Sequence, residues 1–184
     1  MEEKNVLISD DLEWIREVDG INYYRFRPSL LHWYYEKYPA YRKQKLVHRV
    51  RMFLEYMQAG YEIIYLTNAS NDVLGYITVV RGGSRLKCST SDDIVLGPIL
   101  ILQKYRGQGI GTKGIYTVLH NLGIKYKYAY EYIKPSNKAS IRSVEKNNYE
   151  LIGYAQSKGL MRRLIMSDSG DYLIYRYKHG NNDN

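Results

Sequence analysis

At 184 residues the chain is long enough to bury one full hydrophobic core and short for two, and 45% hydrophobic with 25% charged residues excludes a disordered or fibrous chain. Twenty-seven basic against 19 acidic side chains leave a formal charge of +8, which favours an anionic partner such as nucleic acid, a membrane surface or a phosphorylated small molecule, although an ordinary basic surface gives the same number. The single Cys88 excludes an internal disulfide, and His32, His48, His120 and His179 lack metal-ligand spacing, so no metal is expected.

Met1-Glu2-Glu3-Lys4 lacks the basic and then apolar order of a signal peptide, and no apolar run approaches the roughly 18 residues that span a bilayer. The expectation is a soluble, cytoplasmic protein without membrane insertion. In chain order, Ser9, Asp10 and Asp11 ahead of Leu12, Trp14, Ile15 and Val18 predict a short amphipathic helix ended by Gly20. Tyr23 to Tyr41, crowded with rings and broken by Pro28 and Pro39, predicts a loop with a short helix near Leu30 to Tyr38, able to shape a pocket. A longer helix is expected from about Arg42 to Ala59, with Leu46, Val47, Val50, Phe53, Leu54 and Met57 on one face and Gly60 as its C-cap.

The period then changes. Tyr61 to Thr67 and Leu74 to Arg81 are rich in β-branched and aromatic residues and predict an antiparallel pair. Ile94 to Leu102 predicts a strand interrupted at Gly97-Pro98 by a bulge or an edge. A glycine-rich turn, a helix from about Gly109 to Leu122, a strand from Tyr126 to Ile133 and a helix from about Lys138 to Asn147 follow, with final strands at Tyr149 to Gln156 and Tyr172 to Tyr177. The order predicts a single α+β domain over residues 1–184, and the polar tail 180–184 is expected to be mobile.

The strand, glycine turn and helix around Arg106-Gly107-Gln108-Gly109-Ile110-Gly111 form a recipe for an anion site, because the first turn of a helix presents unpaired N–H groups and the positive end of its dipole. Glycines let a phosphate approach the backbone, and Arg106 adds positive charge; a tight connection that binds nothing is the plainer alternative. Gly109 to Gly114 also matches G-x-G-x-x-G, but six residues separate Leu102 from Gly109 and a second β-α-β half is missing, which speaks against a dinucleotide fold.

Arg106, Gly109 and Gly111 meet the pattern Q/R-x-x-G-x-G/A, and the chain here resembles the GNAT acetyltransferase superfamily. The run from Asn137 to Tyr149 is similar to the family's N-x-x-S/A followed by E-K-x-G-F, with Asn148 in the Gly position and Tyr149 in the Phe position. The resemblance implies a mixed, mostly antiparallel sheet flanked by helices and splayed between the strand ending near Leu102 and the strand ending near Ile133. It further implies acetyl-CoA as acyl donor, with main-chain groups of Ile99, Leu100 and Ile101 on pantetheine, amides from Gly107 through Gln108, Gly109, Ile110 and Gly111 to Thr112 on the pyrophosphate beside Arg106, and Asn137 on the cofactor. A strand amide near Ile101 is the implied oxyanion donor.

Two parts of that chemistry are missing. Many relatives place a tyrosine acid where this chain has Val144, and a common relative has a glutamate base where Tyr132 stands. Glu131 is one residue away, so alternation along a strand turns it to the other face, and it is the available, poorly placed base. An aliphatic thiol of pKa about 8.5 leaves as thiolate near pH 7 at a cost of only about 2 kcal/mol, so loss of the acid is survivable. The expectation is acetyl transfer by direct attack of a primary amine on a small metabolite or amino sugar, with a protein N-terminus as a further acceptor class. The alternative is a non-catalytic CoA-responsive or interaction module; nucleic-acid binding draws only on charge and is not expected.

Overall fold

The computed structural model describes residues 12–31, 46–159 and 162–180. The first element departs from expectation. Glu13–Val18 is a strand, β1, not a helix, and it pairs antiparallel with β2, Ile21–Phe26, across a two-residue turn in which Asp19 and Gly20 have φ of 53° and 74°. Two positive φ angles match the right-handed twist of paired strands, which is why Asp-Gly suits this turn. The helix-like spacing has a physical cause: the β1–β2 register slips between Trp14 and Arg16, so Ile15 and Val18, three apart, both pack on the core. The expected loop from Tyr23 likewise begins as strand, with Tyr23 and Phe26 buried in β2; most of the helix expected near Leu30 to Tyr38 lies outside the described residues.

Helix α1, Leu46–Ala59, ends at Gly60, whose φ of 71° and N–H bond to the Tyr56 carbonyl make the expected cap. Its buried side differs from the expected one. Met52 and Glu55 are buried, whereas Leu46, Val50 and Met57 are largely exposed. Strands β3, Tyr61–Thr67, and β4, Val73–Arg81, pair antiparallel as expected. β4 pairs in turn with β5, Ile94–Ile101, where Gly97 and Pro98 both face Thr78, the bulge that glycine and proline announced.

After a short 3₁₀ turn, Gln103–Tyr105, come α2, Ile110–His120, β6, Tyr128–Ile133, and α3, Lys138–Glu145. β7, Glu150–Lys158, and β9, Tyr172–Lys178, were expected; β8, Arg163–Ser167, was not. Among the described residues nine strands join one sheet in the order β1-β2-β3-β4-β5-β6-β9-β7-β8, and of these neighbours only β5 and β6 run parallel.

Alternation sends side chains to two faces. On one, Ile64, Leu66, Ile77, Leu96 and Ala129 pack with Ile115, Val118 and Leu119 of α2 and Val144 of α3. On the other, α1 contributes Met52 against Phe26, Ile63, Tyr65 and Tyr76, and the β4–β5 connection buries Leu86 against Val95, Tyr130, Leu164 and Ile174. That connection is stitched to β8 by Lys87 and Leu164 backbone bonds of 3.0 and 2.8 Å.

Candidate active site

β5 and β6 are paired only at Ile94–Ala129, Val95–Tyr130 and Leu96–Glu131, yet both strands continue beyond those pairs. Past Leu96 they part. A cleft of about 590 Å³ opens there, walled by Ile99, Leu100 and Ile101, by the turn from Tyr105 to Thr112, and by Asn137, Ala139, Ser140, Arg142, Ser143 and Lys146 of the α3 region.

The register decides which main-chain groups face the gap. Leu102 donates to the Leu74 carbonyl at 2.9 Å, so alternation makes Tyr76–Leu100 the next hydrogen-bonded pair, and Leu100 spends its peptide groups on β4. Ile99 and Ile101 turn theirs toward the open flank. The Ile101 carbonyl accepts from Arg106 Nε at 3.0 Å, which holds the guanidinium beside the turn and leaves the N–H groups of Ile99 and Ile101 as donors on that side.

At the outer end of the cleft, Gly107 and Gly109 have φ of 81° and 77°, a conformation that side chains with a Cβ resist, and a Cβ at either would meet only open space. Gly109 is the N-cap of α2, and the first intrahelical bond runs from Lys113 to its carbonyl, so the amides of Ile110, Gly111 and Thr112 belong to the unpaired first turn. The turn is braced from α3: Thr112 and Ser143 hydroxyls lie 2.8 Å apart, and Asn147 Nδ2 donates to the carbonyls of Thr112 and Ser143. Every turn residue singled out from the sequence lines the cleft except Gln108, which is exposed.

Asn137 lines the cleft too, but its Oδ1 caps α3 by accepting from the Ser140 N–H at 3.2 Å, leaving Nδ2 as its free-facing donor. Asn148, in the position of the family glycine, has φ of 58°, a left-handed conformation asparagine tolerates. Val144 is fully buried in the core and offers no proton.

Glu131 sits at the apex of the gap, as partner of Leu96 in the last parallel pair and of Tyr175 on β9. It is 4% exposed, its Oε1 has no hydrogen-bond partner among the described residues, and burial pushes its carboxyl up to about 8. It shares its face with Ala129 and Ile133, toward α2 and α3. Tyr132 faces the other way, as alternation required. There its hydroxyl accepts from Arg85 Nη1 at 2.9 Å; the same nitrogen donates to the Gly97 carbonyl at 2.8 Å, and Arg85 Nη2 pairs with Glu55 of α1. Sequence reasoning missed this buried Arg85–Glu55 link, because two residues 30 apart in chain carry no local signal.

A mixed sheet splayed at its one parallel pair, with a glycine-lined helix terminus at the open end, defines an acyltransferase-type α+β fold. The chain belongs to the acetyltransferase (GNAT) family, whose model matches residues 27–149. The fold is similar to that of a protein assigned to the GNAT family from Desulfovibrio desulfuricans, at 15% identity, TM-score 0.51, covering 73% of this chain and 80% of that one. It is also similar to a spermidine N-acetyltransferase chimera from Vibrio cholerae and hSSAT, at 10% identity, TM-score 0.52, covering 78% and 86%. A structure described as a phosphinothricin N-acetyltransferase matches at 18% identity, TM-score 0.52, covering 72% and 78%. No curated protein matches the chain by sequence. Among the described residues no helix is long and apolar enough to cross a membrane, and no group of His, Cys, Asp and Glu could hold a metal ion.

Proposed function

We propose that this chain moves an acetyl group from acetyl-CoA to a primary amine of a small metabolite or amino sugar, by direct attack within a ternary complex. The observation that carries the reading is the open flank of β5 beside the glycine turn: a strand edge with N–H groups of Ile99 and Ile101 turned outward suits an amide-bearing arm, and the first-turn amides from Ile110 to Thr112 suit a pyrophosphate. The clearance over Gly107 and Gly109 gives a phosphate room to approach. Arg106, Arg142 and Lys146 add positive charge to the same cleft. In this arrangement the Ile101 N–H, near the turn, serves the arm, and the Ile99 N–H, nearer the apex of the gap, is the donor to the developing oxyanion.

Without a dedicated base on the Tyr132 face, the amine must reach the site neutral. A lysine-like amine of pKa about 10.4 loses about 4.6 kcal/mol in doing so at pH 7, against about 1 for an α-amine near 7.7. A panel of amines screened by thiol release should therefore show kcat/KM rising as amine pKa falls at pH 7. A steep preference for unperturbed lysine-like amines at that pH would reject the acceptor class. A second reading, a CoA-responsive module without turnover, draws on buried Val144 where relatives carry a proton donor; CoA binding with no thiol release from any amine would establish it.

A further inference from the structure

We infer that Glu131 is the proton donor to the departing sulfur, standing in from β6 for the acid that Val144 cannot supply from α3. The inference rests on the acetyl-transfer reading above. Among the described residues Glu131 is the only carboxyl lining the cleft, it is more than nine-tenths buried, and its Oε1 has no partner there. A buried polar atom without a partner is costly, and it is kept here at the point where β5 and β6 separate. An arm anchored at the Gly107–Thr112 turn and laid along the β5 edge runs from Ile101 back toward Leu96, a path of ~16 Å at ~3.3 Å per residue, and ends beside this carboxyl.

The groups facing it do not favour ionisation. Tyr149 lies close enough for the two to oppose each other's charge, Tyr175 flanks it from β9, and the cations of the cleft, Arg106, Arg142 and Lys146, are exposed. Burial therefore holds the carboxyl protonated up to about pH 8, close to the ~8.5 of an aliphatic thiol, so the proton passes between near-matched groups. In the transfer, the amine nitrogen bonds to the acetyl carbon and the C–S bond breaks with its electron pair going to sulfur. The Glu131 proton passes to that sulfur to give the CoA thiol. The amine's surplus proton goes to solvent, from which the carboxylate is reprotonated.

The test is kcat against pH for the wild type and E131Q at saturating acetyl-CoA and a low-pKa amine, together with carbon-13 titration of the carboxyls of the wild type with CoA or with desulfo-CoA. Expected are a wild-type kcat that falls above about pH 8, a kcat lower by about tenfold to thirtyfold in E131Q with that limb removed and KM for acetyl-CoA little changed, and a carboxyl titrating near pH 8 that CoA shifts and desulfo-CoA does not. The inference is overturned if E131Q keeps the wild-type kcat, if wild-type kcat instead rises through pH 8, which would make Glu131 a base, or if both ligands shift the carboxyl alike, which would place it on the amides of the arm. The wild-type titration stands even if E131Q fails to fold. Failure of acetyl transfer itself looks different: no amine releases thiol from the wild type although CoA still binds.

Discussion

A carboxyl buried at 4% exposure with an unpartnered oxygen alters the pH dependence of stability as well as reactivity. In the unfolded chain Glu131 ionises at its ordinary value of 4.5; in the fold it keeps its proton up to about 8. The folded state thus binds more protons across that window, so stability falls as pH rises through it and is level above. The slope from this group is up to about 1.4 kcal/mol per pH unit. E131Q, which cannot ionise, should lose this slope: denaturant titrations at pH 5 and pH 8 should show the variant gaining on the wild type at the higher pH. An equal difference at both would mean that Glu131 ionises freely in the fold. Nothing in the sequence announced this shift, because it comes from β5, β9 and two helices closing over one side chain, whereas the opposite orientations of Glu131 and Tyr132 followed from strand alternation alone.

Elements were legible where local signals agreed. β3 and β4 are dense in β-branched and aromatic residues and joined by a polar loop, and α2 follows a glycine turn, so period and punctuation pointed the same way. β1 was misread because the bulge at Ile15 imitates helical spacing, although Asp19-Gly20 carried the hairpin signal. β8 was missed because Met161-Arg162-Arg163-Leu164 has no alternation, and only Leu164 of that strand is buried. The junction of β5 and α2 gives the sharpest test of an element. Gly111 has no positive φ, and its Cβ would make ordinary contact at 3.5 Å with Ile101 Cγ1, so a side chain there is compatible with the fold. Gly111→Val should keep the melting temperature within a few degrees yet lower CoA affinity by at least tenfold in calorimetry, by filling the approach to the first-turn amides. Unchanged affinity in the folded variant would remove the cradle from the site.

At the scale of the whole molecule, the sheet is two antiparallel plates: β1 to β5 in chain order, and β6, β9, β7 and β8. They share a seam of three residue pairs, whereas β3 and β4 are matched over seven. The seam stops where the cleft starts. An arm bridging Ile99 and Ile101 to the β6 side would act as the missing length of ladder, so the ligand would be a structural part of the sheet while it is bound. Hydrogen exchange should report this directly: CoA should slow exchange in β5 and in β6 together, with β3 little affected, and protection confined to the glycine turn would contradict it. On the acetyl-transfer reading, product release would then have a mechanical meaning, since letting CoA go would return the two plates to a join only three pairs long.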